Sequence, residues 1–194
     1  MLTLCALLPA HGEELKAPAS NKAQNFTLQD AQGKPCSLDD FAGKWVVLEW
    51  INFKCPFVNK FYNSGAMQKW QDDYGKRGVI WLTICSSAKG KPGYFTAEEL
   101  QKILPEKKMK SARYLVDDNG TVGKNFGAKT TPTMVVISPN KDLIYNGAID
   151  SISSTEPADI SKADNYLVKA LDAALEGKKL DYKKTVAYGC GVKY

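Results

Sequence analysis

The chain has a single histidine and very little arginine: His11, Arg77 and Arg113 are the whole of both types among 194 residues. Arginine scarcity decides how the net charge of +5 is read. Nucleic-acid recognition favours clustered guanidinium groups with planar, bidentate donors, whereas the lysines here are scattered along the chain and read as a solvated surface. No nucleic-acid partner is expected. No Cys-x-x-Cys pair occurs, and His11 stands apart from every cysteine but Cys5, so the donor sets of a structural zinc site are missing and neither a metal nor another cofactor is expected. Long apolar runs are also absent. The longest near the start, Leu2 to Ala10, is too short to span a bilayer as a helix, so stable membrane insertion is not expected.

An apolar content of 44% with 24% charged residues suits one globular domain with a proper core. Residues 1–12 read as a leader: an apolar run, then Ala10 and Gly12 at the small positions before a cut ahead of Glu13, although no basic residue precedes the run. Cys5 follows Leu4 rather than the small residues that precede a lipid-modified cysteine. The expectation is an exported protein, periplasmic or secreted, with a domain over 13–180 and a tail over 181–194. Removing the leader leaves Cys36, Cys55, Cys85 and Cys190, an even number in a compartment that permits disulfides.

Phe26 to Leu28 and Pro35 to Leu38 flank a turn-rich stretch and predict a small hairpin. Trp45 to Ile51 is almost unbroken apolar sequence, the pattern of a strand buried on both faces. Pro56 suits the first position of a helix, and Asn63-Ser64-Gly65 interrupts that helix before it resumes to Tyr74. Val79 to Cys85 is the next strand, Ser86 to Tyr94 a surface loop, and Thr96 to Glu99 a capping box. Further strands are expected at Ala112 to Val116, Thr133 to Ile137 and Leu143 to Tyr145. A final helix is read from Ile160, Ala163, Leu167, Ala170, Leu171, Ala174 and Leu175. The alternation gives an α/β fold, a central mixed β-sheet with helices on both faces and an N-terminal hairpin extension. Trp45, Trp50, Trp70 and Trp81 read as core.

Chemistry concentrates where the buried strand meets the helix, because Cys55 there stands at the positive end of a helix dipole. Unpaired N–H groups favour the thiolate, the nucleophilic form. Lys54 and Lys60 would add to this. Farther on, Thr130-Thr131-Pro132-Thr133 leads into an apolar strand, where a proline in the interior is normally excluded; a cis Thr131-Pro132 bond resolves the conflict. Glu49 interrupts the strand before Cys55. A carboxyl there is desolvated, and reads either as a proton acceptor of raised pKa or as half of a buried ion pair with a lysine.

Cys-Pro at the strand-to-helix junction and Thr-Pro before a strand resemble the thioredoxin superfamily. Phe26-Thr27-Leu28 with Gly33-Lys34, Val47-Leu48-Glu49-Trp50 with Cys55-Pro56-Phe57-Val58, and Gly127 through Pro132 resemble its redoxin members, in the alkyl hydroperoxide reductase/thiol-specific antioxidant grouping. Gly147-Ala148-Ile149-Asp150 and Tyr188-Gly189-Cys190 are similar to its peroxiredoxin-like subgroup. The resemblance implies a thioredoxin-like fold and a thiol-dependent oxidoreductase that reduces peroxides or protein disulfides. Cys55 is then the attacking residue and Pro132 the cis-proline facing substrate, with Pro56 and Thr131 beside them. Its partners would be the oxidant and a thiol reductant. The competing reading is a redox-inactive binding or scaffold protein of the same fold.

Departures from the pattern are specific. Val58 stands where a dithiol reductase carries its second cysteine, and Asn52 and Leu48 stand where a typical peroxiredoxin has Thr or Ser and a proline. No arginine lies near Pro132. Asn52 can still donate a hydrogen bond to a peroxide oxygen or a thiolate. Resolution of oxidised Cys55 must therefore come from elsewhere: Cys85, at the end of the neighbouring strand, or Cys190 in a glycine-flanked tail. Mobility favours Cys190, within one chain or across a homodimer, and the alternative for Cys190 is a bond to Cys36 or a free thiol.

Overall fold

The computed structural model describes residues 21–181 and 183–194, so the leader read at residues 1–12 lies outside the described residues. The expected hairpin forms from β1 (Thr27–Asp30) and β2 (Pro35–Ser37), with Asp30 accepting backbone N–H bonds from Gln32 and Lys34 inside the turn. The chain then alternates: β3 (Val46–Trp50), α1 (Pro56–Asn63), α2 (Ala66–Lys76), β4 (Ile80–Cys85), α3 (Ala97–Glu106), β5 (Arg113–Val116) and α4 (Thr121–Asn125). A two-residue strand β6 (Thr130–Thr131) precedes the hairpin of β7 (Thr133–Ile137) and β8 (Leu143–Gly147), followed by α5 (Tyr166–Leu175) and a last short strand β9 (Cys190–Gly191).

Seven strands make one sheet in the order β2-β1-β5-β4-β3-β7-β8, with β3-β4 and β4-β5 parallel and the other pairs antiparallel. This is the mixed sheet that the sequence predicts. All five residues of β3 are buried because successive side chains enter opposite cores. Val47 joins Phe61, Met67, Trp81 and Leu171 on the face covered by α1, α2 and α5, while Val46, Leu48 and Trp50 join Phe26, Leu82, Val122 and Phe126 on the other. A strand with both faces covered reads as continuous apolar sequence, and Glu49 is the single exception in β3.

The final helix starts later than its periodicity suggests. Ile160 and Ala163 belong to turns that follow a short 3₁₀ segment at Pro157–Asp159. Asn165 then caps α5, its side chain accepting from the Val168 N–H at 2.9 Å, and Leu167, Ala170 and Leu171 carry the buried face. Among the described residues no helix is long and apolar enough to cross a membrane.

Candidate active site

Cys55 is the N-cap of α1, with extended backbone (φ −88°, ψ 122°), and Pro56 occupies the first turn, where its missing N–H costs nothing. The side chain is 1% exposed. Burial pushes the thiol up, yet the net shift is downward, because hydrogen bonds from the Cys190 thiol, the Val58 N–H, the Cys190 N–H and the Thr131 side chain favour the thiolate. Neither lysine appears among these causes. Lys54 lies 5.9 Å from the Phe95 ring centre, and Lys60 is paired with Asp150 at 3.3 Å.

The Thr131-Pro132 peptide bond is cis, and the Thr131 carbonyl accepts from the Cys55 thiol at 3.2 Å. Thr131 thus touches the sulfur directly. The same residue pairs with Cys190, because β6 and β9 form a two-stranded antiparallel sheet with Thr131 opposite Cys190. Cys190 is therefore brought to Cys55, and its own thiol is pushed up to about 11 by burial, by the hydrogen bond to Cys55 and by the Cys55 charge. Both cysteines are free thiols, as are Cys36 and Cys85.

A model of the AhpC/TSA family matches residues 19–146, a span that includes Cys55 and Pro132. The chain belongs to the AhpC/TSA family. Among solved structures, it is similar to a hypothetical protein from Sinorhizobium meliloti 1021, with 26% identity and a TM-score of 0.74 over 89% of this chain and 92% of that one. An uncharacterised conserved protein from Geobacillus kaustophilus has 24% identity and a TM-score of 0.74, covering 89% and 90%. The thioredoxin domain of a thiol-disulfide oxidoreductase from Bacteroides vulgatus shares the fold at 18% identity and a TM-score of 0.52, covering 73% and 94%. A comparison with curated proteins finds no match. Fold and family together place the protein among thiol-based redox proteins.

The remaining residues of this AhpC/TSA site have definite posts. Asn52 donates its amide to the Pro92 carbonyl at 2.9 Å and accepts the Lys54 N–H at 2.8 Å, so it holds the loop after β4 against the strand-to-helix junction. Gly93, next along that loop, has φ +91°, and a Cβ there would stand 2.2 Å from the Asn52 amide oxygen. Gly93→Ala is expected to destabilise the fold by about 2 kcal/mol, the scale of a strained left-handed residue plus a displaced side chain. Urea unfolding with an unchanged slope and a lower midpoint checks this.

Glu49 is fully buried and accepts from Trp81 Nε1 at 2.7 Å, Tyr62 Oη at 3.0 Å, Gln71 Nε2 at 3.1 Å and Thr83 Oγ1 at 3.2 Å. The ion-pair alternative gives way here, since its partners are four neutral donors and no lysine. Desolvation raises its pKa to about 7, partly offset by those bonds. None of its hydrogen bonds reaches Cys55 or Cys190. Cys85 donates to the Gly93 carbonyl at 3.3 Å, and Cys36 lies in the opposite core from Cys55. Both arginines are elsewhere, Arg77 on Asp172 and Arg113 3.6 Å from Asp30.

Two features escape the sequence reading. The tail beyond α5 is not loose: Thr185 Oγ1 accepts from the Ala148 N–H at 2.9 Å, the Val192 N–H donates to Lys129 O at 3.0 Å, the Ala88 N–H donates to Lys193 O at 2.8 Å, and Tyr194 donates to Ala128 O at 2.5 Å. Gly189 serves close approach rather than mobility. A Cβ on Gly189 would fall 2.0 Å from the Thr131 oxygen, so only glycine lets the tail reach β6 at this point. The second feature is the fully buried pair of Lys60 and Asp150, with Asp150 also accepting from the Tyr188 hydroxyl. Their only sequence signal is that Asp150 and Tyr188 fall within the segments resembling the peroxiredoxin-like subgroup.

Proposed function

We propose that this protein is a thiol-dependent oxidoreductase in which Cys55 attacks a peroxide or disulfide and Cys190 resolves the product. The carrying observation is that Cys190 pairs with Thr131 across β6 and β9 while the Thr131 carbonyl accepts from the Cys55 thiol at 3.2 Å, which sets both cysteines against one residue; the Cys55 thiol is shifted down and that of Cys190 up. Cys190 supplies from a distant strand the second sulfur that Val58 does not provide.

With a peroxide, the Cys55 thiolate takes one oxygen, the O–O bond breaks, and the other oxygen leaves protonated as alcohol or water. Cys55 is then a sulfenic acid. Cys190, once deprotonated, attacks that sulfur, forms the S–S bond and expels hydroxide, which becomes water. With a disulfide, the first attack releases one thiolate, and Cys190 displaces the second from the mixed disulfide. Either route oxidises the protein by two electrons, and an external dithiol or two thiols restore it. Thr131 touches the sulfur and precedes the cis Pro132, and Pro56 starts the helix that stabilises its charge. An exported chain would let a Cys55–Cys190 bond persist until the reductant meets it.

The test is the pH dependence of alkylation in the reduced native protein, with each cysteine followed by peptide mapping. Cys55 is expected to react with a midpoint below that of free cysteine, about 8.5, and Cys190 with one above it. A Cys55 midpoint at or above the free value overturns the assignment. The midpoint, rather than the absolute rate, is the readout because burial slows every reagent alike.

A further inference from the structure

Cys190 is held from both sides along the chain, by Thr185 before it and by Val192 to Tyr194 after it. Between these anchors runs Ala187-Tyr188-Gly189, and here one side chain reaches into the domain. The Tyr188 hydroxyl donates to Asp150 Oδ1, while Asp150 Oδ2 accepts from Lys60 Nζ at 3.3 Å. Lys60 belongs to α1, the helix that Cys55 caps, and also donates to Ile152 O at 3.2 Å. The Tyr188 ring meets the ring of Phe57, on the first turn of the same helix, edge to face at 5.9 Å between centroids. One buried carboxylate therefore ties the segment carrying Cys190 to the helix carrying Cys55.

We propose that Tyr188 is a positioning residue for disulfide formation: through the Asp150 carboxylate and Lys60 it holds the Cys190 strand in register with the Cys55 helix. The step it serves is the one described above, attack of the Cys190 thiolate on oxidised Cys55 with loss of hydroxide or a thiolate. This role rests on reading Cys55 and Cys190 as the redox pair. Lys60 and Asp150, at 0% and 2% side-chain exposure, are fixed by burial, so the hydroxyl of Tyr188 is the separable part of the clip. A hydrogen bond to a charged group is worth enough to set the position of a short strand, and its loss is tenfold or more in an equilibrium constant.

The experiment equilibrates the full chain and its Tyr188→Phe variant with reduced and oxidised glutathione, and quantifies the Cys55–Cys190 disulfide by peptide mapping. Phenylalanine keeps the ring on Phe57 and removes only the hydroxyl. The equilibrium constant for the disulfide is expected to fall about tenfold, which raises the reduction potential by about 30 mV. The alkylation midpoint of Cys55 is expected to rise, since the Cys190 donors are held less firmly. A purely structural role would lower the urea midpoint and leave both readouts in place. Gly189→Ala gives a second route to the same displacement, because its Cβ would collide with the Thr131 oxygen. If the parent forms the disulfide and Tyr188→Phe matches it within twofold, the positioning role is wrong and the redox pair stands. If the parent forms no Cys55–Cys190 bond, the redox pair itself is wrong and the positioning role falls with it.

Discussion

Cys55→Ser protein is expected to consume peroxide or a small disulfide at least about a thousandfold more slowly than the parent, down to the background of its other thiols. The size follows from what serine lacks here. Its hydroxyl ionises far above the range in which N–H and S–H bonds from Val58 and Cys190 can hold an anion. The only histidine is His11, far along the chain from Cys55. Cys190→Ser should behave differently. Its Cys55 still reacts once, giving a burst of one equivalent of peroxide and a sulfenic acid that dimedone traps, but no internal disulfide follows. Peroxide consumption measured with and without an added thiol reductant separates these variants. Parent-like turnover in Cys55→Ser would move the chemistry to another residue.

A second large effect concerns stability and lies at Glu49. Its pKa is about 7 in the folded protein against an ordinary 4.5, so the folded state binds the proton more tightly than the unfolded chain does. Folding takes up that proton between these values. The stabilisation is fully present below about pH 4.5, declines as the pH rises, and is lost above about 7. A shift of this size corresponds to about 3 kcal/mol, a large part of a typical domain's net stability. Glu49→Gln should flatten the dependence. The glutamine amide can donate to Tyr62 Oη while its oxygen keeps the bonds from Trp81, Gln71 and Thr83, which reproduces the protonated form. Urea midpoints from pH 4.5 to pH 8, followed by tryptophan fluorescence, check both proteins. A parent profile as flat as that of Glu49→Gln would place the titration elsewhere.

Much of this architecture is legible in the chain because it rests on local signals. The apolar run into Cys55, Pro56 at the helix start and the Thr131-Pro132 dipeptide each depend on neighbours a few residues away. Glu49 is half legible: its place on a buried strand implies desolvation, but its donors come from β4, α1 and α2, brought together only by the fold. The helix α5 begins later than its periodicity suggests for a related reason. Ile160 and Ala163 keep the helical spacing, while the Asn165 cap and the bonds joining Ser151 to Asp164 decide where the helix begins. The tail was the least legible part. Gly189 and Gly191 suggest freedom, yet Thr185, Tyr188 and Tyr194 fasten the segment through long-range polar contacts that follow no period in sequence.

The pairing of β9 with β6 also bears on what can approach Cys55. Thr130 and Thr131 offer backbone groups beside the sulfur, the kind of strand edge to which an extended polypeptide adds. The chain's own tail fills that edge. Being tethered, it competes at an effective concentration on the order of millimolar, so a polypeptide enters only by out-competing a neighbour that never diffuses away. A small oxidant needs no strand pairing and faces no such rival. The segment that carries Cys190 thus occupies the strand edge beside Cys55.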